Sequence, residues 1–186
     1  MEYIKFIKEK IKNYSLITIV RLEFESAILG ILSLIPTTLG VLLRAMAVQL
    51  LFKKIDGIAF IQPRVTIIHS DRIICGKQLG INSGSYINGI GGIEMGDNVL
   101  IGSNVTISSG EHPIEGKFPA IFTRETKHKK ITICNDVWIG AGVVIMPGIT
   151  LATGTVVGAN AVITKDTEQY GVYVGIPAKK IRERKD

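Results

Sequence analysis

An aliphatic residue returns at every sixth position across the second half of the chain: Ile133, Ile139, Ile145, Leu151, Val157 and Ile163. Four residues after each of the first five stands a second small or apolar residue, namely Val137, Val143, Ile149, Thr155 and Ala161. Upstream the same spacing gives Met95, Ile101 and Ile107 with Val99 and Val105. Before them come Cys75, Ile81 and Ile87 with Leu79 and Ser85, then Ile61 and Ile67 with Val65. Steps of eight at 67–75 and 87–95 join these sets and read as two-residue insertions at corners. A period of six is neither helical nor the alternation of a half-buried strand. It predicts a parallel β-helix of hexapeptide repeats, each hexad giving a short strand and a turn and three hexads one triangular coil. Coils stacked roughly 4.8 Å apart would bury the aliphatic positions in a central column. Gly, Asn and Asp in GDN, GSN and GAN supply the corner conformations that other residues resist. Cys75 and Met95 are in phase and Cys134 lies beside an inward position, so all three are expected in or next to the core.

The N-terminal third follows another rule. Residues 26–43, SAILGILSLIPTTLGVLL, carry no charge. Such a run sits at the lower edge of the length that spans a bilayer, and Pro36, with Gly30 and Gly40, interrupts it. Proline inside a helix removes a hydrogen bond and kinks or ends it. Two short helices are therefore expected, about 22–34 and 37–53, bent at Pro36. The second carries Arg44 and ends with Lys53 and Lys54. One reading makes residues 22–54 a monotopic or re-entrant membrane contact with cationic flanks facing anionic lipid. The other packs them as a helical hairpin on the domain or on a partner subunit. The chain then divides into an apolar helical segment over 1–54 and a β-helical domain over 55–186, with residues 111–130 extruded as a loop and a basic C-terminal tail.

Charge and cysteine content narrow the function. A net charge of +6 points to an anionic partner: nucleic acid, an acidic membrane surface or a phosphorylated small molecule. No aromatic-plus-basic motif of a nucleic-acid module accompanies it, so nucleic acid is set aside. The two cysteines have neither metal-ligand spacing nor the numbers for a disulfide framework, which favours a reducing compartment. Lys5, Lys8, Lys10 and Lys12 precede an apolar run that begins only near Ala27, without a small-residue cleavage site, unlike a secretory leader. The expectation is a cytoplasmic chain, peripheral at the inner face of the cell membrane.

The repeat breaks at a histidine. His112 lies five residues after the inward Ile107 and so points out of the prism, and the following PIEGKFPAIFTRETKHKK fits no hexad. Loops set on a rigid scaffold are where function concentrates. MGDNVLIGSNVTI, EHP, ICNDVWIGAGVVIMPGITL, VVGANAVITKD and VGIPAKKIRERK together resemble the hexapeptide-repeat acyltransferases, over about residues 55–184. Within them the likeness is to the sugar O-acetyltransferase branch, that of the galactoside and maltose acetyltransferases. The apolar IPTTLGVLLR just before the repeat resembles the lipopolysaccharide and capsule O-acetyltransferases.

The resemblance implies an all-β fold with a left-handed parallel β-helix, against the usual right-handed crossover, and an N-terminal helical segment. It implies a homotrimer with active sites between subunits, acetyl-CoA as donor and direct transfer to a sugar hydroxyl, here of a bacterial surface-polysaccharide precursor. The matching histidine is His112, as general base. A sugar hydroxyl holds its proton tightly at neutral pH, and a histidine can accept it as attack on the thioester begins, a step worth roughly 10²–10⁴-fold. Backbone amides of the coil can meet the oxyanion, and an activated thioester requires no metal and no acyl-enzyme. Asn88 is expected to bind the acceptor or to help fix the base, against a plain corner role. For the donor, the pattern places Trp138, Ala141, Ala159, Thr164, Lys165, Lys179 and Arg182 along the groove and at the phosphates. Ala141 stands where relatives often have serine, which leaves only its backbone, and Trp138 could instead pack at a corner. His69 reads as structural and His128 as solvated among lysines. Glu111 and Glu115 are within reach of orienting His112, and the orienting group stays unassigned. Three alternatives stand beside this reading: an acyltransferase for an antibiotic or amino acid, a non-catalytic β-helix scaffold, and a membrane-bound interaction protein.

Overall fold

The computed structural model describes residues 14–185, so the lysines at 5, 8, 10 and 12 lie outside the described residues. Three parallel sheets form the faces of a left-handed β-helix. The first face stacks Lys54–Ile55, Ile73–Cys75, Ile93–Met95, Ile131–Ile133 and Thr150–Leu151. The second stacks Ala59–Ile61, Leu79–Ile81, Val99–Ile101, Trp138–Ile139 and Val156–Val157, then Gly171–Val174 and an antiparallel Lys179–Glu183. The third stacks Thr66–Ile68, Tyr86–Asn88, Thr106–Ser108, Val144–Ile145 and Val162–Ile163.

The register follows the hydrophobic phase. Cys75 pairs with Met95, Met95 with Ile133 and Ile133 with Leu151. The other two columns run Ile61, Ile81, Ile101, Ile139, Val157 and Ile67, Ile87, Ile107, Ile145, Ile163. All of these side chains are buried. Burying each aliphatic side chain contributes roughly 1.5–3 kcal/mol, which is why the phase dictates the stacking. Both Cys75 and Met95 are core residues, and burial pushes the Cys75 thiol up to about 12. Cys134, half-buried, lies just outside the column. Asn104, Gly142 and Asn160 stack at one corner with positive φ. A Cβ at Gly142 would collide with the Asn160 side chain of the next coil. The first two-residue insertion is a short 3-10 turn at Ser70–Arg72, and the second is a turn closed by Gly92 N–H on Gly89 O at 2.7 Å.

Two helices close the N-terminal end. Helix α1 spans Leu16–Ser33 and α2 spans Thr38–Leu51. The first begins six residues before the expected start, because Ser15 Oγ caps it by accepting from Thr18 N–H at 3.1 Å and the polar Arg21 and Glu23 are inside the helix. Pro36 lies in the turn between the helices, and Thr37 caps α2. Helix α1 rests against Thr66–Ile68, and α2 against Ala59–Ile61 and the 3-10 turn. No helix among the described residues is long and apolar enough to cross a membrane.

One expectation fails here. Arg44 does not face lipid: it is 2% exposed, its Nε donates to Ile61 O at 2.8 Å, and its Nη1 donates to Leu32 O at 2.6 Å and Ile35 O at 2.9 Å. Leu32 lies in the last turn of α1 and Ile35 just past its cap, where the carbonyls and the negative end of the helix dipole favour a cation. Gly40 makes room for the contact, since a Cβ there would strike Ile35 O and sit 2.9 Å from the Arg44 guanidinium. Lys53 and Lys54 remain exposed.

Candidate active site

The corner between the third and first faces is where the repeat opens. The chain leaves Ser108 of the third face and returns at Ile131 of the first. Its stem is a two-residue antiparallel ladder, Gly110 opposite His128 and Glu111 opposite Lys127. Across the stem Lys129 Nζ lies 2.6 Å from a Glu111 carboxylate oxygen. Below it, buried Ser109 donates its hydroxyl to Asn88 O at 2.9 Å and accepts from Gly91 N–H at 2.7 Å, which ties the stem to the coil beneath. His112 follows this clamped stem and is exposed.

Neither nearby carboxylate orients the ring: Glu111 is engaged by Lys129, and no described residue hydrogen-bonds or pairs with the His112 side chain. The loop is held from within by a residue that the sequence reading passed over. Arg124 Nη1 donates to Pro113 O at 2.9 Å and Glu115 O at 2.8 Å, its Nη2 to Gly116 O at 2.7 Å, and its Nε to Pro119 O at 2.8 Å. One guanidinium thus fixes four carbonyls, starting with the residue directly after His112. A lone arginine in a polar loop gives no sequence signal of this, because its partners are backbone atoms. Outside this strut the loop exposes Ile114, Phe118 and Phe122.

Asn88 takes the corner role weighed against acceptor binding. It pairs with Ser108 in the third face, one coil below the start of the loop. Its side-chain carbonyl accepts from Ile90 N–H at 3.1 Å and so shapes the corner, while its amide nitrogen has no partner among the described residues. His69 is half-buried at positive φ and leads into the 3-10 turn, a structural position. Burial first, then Arg72 and His128, hold its pKa below the ordinary value, with Asp71 opposing. His128 is exposed on the stem.

The seven residues expected along the donor groove fall into two sets. Trp138, 53% exposed, points outward on the second face between Leu100 and Val156. Along the same row Val156 pairs with Val172 and Val172 with Arg182, so Trp138 and Arg182 share a face. Ala141 and Ala159 stack at the corner after that face, where Asn160 N–H meets Ala141 O at 2.8 Å. Lys179 starts the last strand and is exposed, as is Arg182. Their neighbour Lys180 is occupied by Glu168 and Glu183, which raise its pKa, and Lys180 holds Glu183 below the usual carboxylate range. Thr164 and Lys165 are exposed at the other edge of the third face, the corner from which the His112 loop springs. One chain therefore brings five of these residues together and sets two apart beside the histidine corner.

Comparison with known proteins agrees with this architecture. Residues 130–165 match the family model "Bacterial transferase hexapeptide (six repeats)", and 78–109 match "Hexapeptide repeat of succinyl-transferase". The chain is 34% identical over 143 residues to a galactoside O-acetyltransferase of Escherichia coli strain K12, covering 77% of this chain and 70% of that one. A solved galactoside acetyltransferase in complex with coenzyme A superposes with a TM-score of 0.82 at 28% identity, over 92% of this chain and 84% of that one. A hexapeptide-repeat acetyltransferase from Vibrio cholerae, complexed with acetyl coenzyme A, superposes with a TM-score of 0.76 at 30% identity, over 88% of this chain and 89% of that one.

Proposed function

The chain belongs to the hexapeptide-repeat acyltransferases, in their sugar O-acetyltransferase branch, and from that premise we propose that it acetylates a sugar hydroxyl of a bacterial surface-polysaccharide precursor with His112 as general base. It is an acetyl-CoA-dependent acyltransferase, which removes the scaffold and pure interaction-protein readings. One observation carries the assignment of the base. The longest interruption of the repeat among the described residues delivers an exposed imidazole from a stem clamped by Glu111–Lys129 and a loop braced by Arg124.

In this reading the neutral His112 ring takes the proton of the acceptor hydroxyl as its oxygen bonds to the thioester carbonyl carbon. The tetrahedral oxyanion then collapses, the carbon–sulfur bond breaks, and the imidazolium returns the proton to the coenzyme A thiolate. Holding the imidazole on a braced loop keeps it in line with the attacking oxygen, where small displacements are costly. The free amide nitrogen of Asn88 is suited to an acceptor hydroxyl. Lys179 and Arg182 are placed to meet donor phosphates, Trp138, Ala141 and Ala159 to line the arm, and Thr164 and Lys165 to meet a donor at the histidine corner.

The separation of these two donor sets supports a groove completed by a neighbouring copy, and the exposed row of Phe60, Leu100 and Trp138 on the second face is an apolar surface fit to meet it. A homotrimer follows from the resemblance. Residues 55–186 then do the chemistry and residues 1–54 place the enzyme at the inner face of the membrane. The test is acetyl transfer from acetyl-CoA to a panel of free and nucleotide-linked sugars. His112→Ala is expected to lower kcat roughly 10²–10⁴-fold with acetyl-CoA binding by calorimetry unchanged. A His112→Ala enzyme of wild-type rate would remove the assignment.

A further inference from the structure

The outer surface of the helical hairpin is apolar where a soluble cap would be polar. On α2 the exposed residues Leu39, Leu42, Met46 and Leu50 follow helical spacing along one side. On α1, Val20, Phe24, Ile31 and Leu34 do the same. Because both helices rest on the same first coil through Leu29, Ala47 and Val48, both exposed rows lie on the side away from the β-helix. The result is a surface two helices wide, broader than the single seam of a coiled coil. In the sequence upstream of α1, Ile4, Ile7, Ile11 and Tyr14 recur at steps of three and four, a separate apolar set with Lys5, Lys8, Lys10 and Lys12 between its members. A basic segment of that pattern is the kind that lies in a membrane interface.

We propose that this surface binds the face of an anionic lipid bilayer, with the hairpin lying in the interface plane. The charge around it selects the occupant. Lys53 and Lys54 follow α2 directly, Lys54 paired with Asp56 at 2.9 Å, and exposed Arg64 donates its backbone N–H to Ser33 O at the end of α1. Glu23 is the exposed acid of the two helices. Anionic headgroups attract such a rim, whereas a second copy would bring like charges together. The depth of contact is set by the helices themselves, since neither is long and apolar enough to cross. In placing the acceptor at the membrane the inference rests on the surface-polysaccharide reading, but the lipid contact stands on the hairpin alone.

The experiment is flotation of the full chain with vesicles of phosphatidylcholine alone or with phosphatidylglycerol, beside acetyl-CoA calorimetry on the same preparations. The wild type is expected to float with anionic vesicles, and each flanking cation removed, as in Lys53→Gln and Arg64→Gln, to weaken partitioning roughly fivefold. Leu39→Ser, Leu42→Ser, Met46→Ser and Leu50→Ser combined change only exposed positions, and should abolish flotation while leaving circular dichroism and acetyl-CoA binding as they were. A wild type that stays unbound at every composition, or a fourfold variant that floats like it, overturns the proposal. So does a fourfold variant whose only change is a smaller mass in solution, which would make the surface a contact between copies. Flotation without acetyl-CoA binding would keep this inference and sink the enzymatic reading instead.

Discussion

In the β-helix, Ile101, Ile107 and Ile139 are wholly buried and charged groups sit at corners in water; in the hairpin, Leu50 is 86% exposed while Arg44 and Glu25 are buried at 2% and 1%. The two regions use their side chains in opposite senses because their backbones differ. A coil passes its hydrogen bonds to the coils above and below, as when Gly140 N–H meets Val157 O at 2.8 Å, so its side chains need only fill the column. A helix keeps its hydrogen bonds to itself and leaves carbonyls bare at its end, and those must be met where the hairpin docks. Arg44 meets them, gathering Leu32, Ile35 and Ile61 in one fork. The His112 loop repeats the device with Arg124 on four carbonyls. In both larger departures from the repeat, the hairpin and the His112 loop, one arginine holds the departure through backbone oxygens. Arginine suits the task because its planar guanidinium offers five donors in a fixed geometry and stays charged.

The contrast breaks most sharply at Arg44. Removing it by Arg44→Met leaves the Ile35 and Ile61 carbonyls of a buried junction without a donor, while Leu32 O keeps the Ile35 N–H at 3.2 Å, a cost of about 3 kcal/mol or more. Since Trp138 is the sole tryptophan and belongs to the β-helix, its fluorescence follows that region while far-ultraviolet dichroism follows the helices. In urea the helical signal of the variant is expected to be lost well before the Trp138 signal, whereas in the wild type the two coincide. Coincident transitions in Arg44→Met would mean that the hairpin is held mainly by its apolar contacts.

The second arginine should register in rate more than in stability. Arg124→Ala frees the segment after His112, and kcat is expected to fall about tenfold to a hundredfold, the scale of a small misplacement of a reacting group. The KM for acetyl-CoA and the urea midpoint should move little, because the loop's apolar side chains are exposed and the residues proposed for the donor lie on the coils. Arg124→Lys should recover little, since an ammonium group cannot span four carbonyls. Full activity in Arg124→Ala would show that the stem alone positions the ring.

These differences also mark what the sequence could say. The six-residue phase foretold the three main columns of the core, down to Cys75 and Ser85, because burial in a stacked coil depends on spacing, but not the buried Ile73, Ile93 and Ile131, which follow corner insertions or the extruded loop. The break at His112 was equally visible, as was the turn at Pro36. The inward sense of Arg44 was not, because a charged residue in an apolar run reads as a flank when its partners are backbone oxygens. Nor could the hairpin's outer side be told from its inner one, since both helices are apolar nearly all round. Arg124 and Ser109 escaped for the same reason as Arg44: their partners carry no side-chain signature.

The finest test of the contrast is the other buried charge. One Glu25 oxygen accepts from Ser70 N–H at 2.9 Å and the second has no partner among the described residues. Ser70 also donates its hydroxyl to Leu51 O at 3.1 Å, so this corner pins both helices. Burial raises the Glu25 pKa above 4.5, the Ser70 bonds pull against it, and of the flanking charges Asp71 raises it while Arg21 lowers it. A carboxyl whose pKa is higher in the folded than in the unfolded chain stabilises the fold fully below its unfolded value, and that contribution is lost as pH rises through the folded one. Glu25→Gln is uncharged throughout and keeps an oxygen for Ser70. The variant should therefore gain on the wild type in unfolding free energy as pH rises from about 4.5 toward neutrality, and the gap should close again in acid. The effect is the smallest of the three because Ser70 already offsets part of the burial. A gap independent of pH would mean that Glu25 reaches water in solution and that Arg44 alone inverts the hairpin.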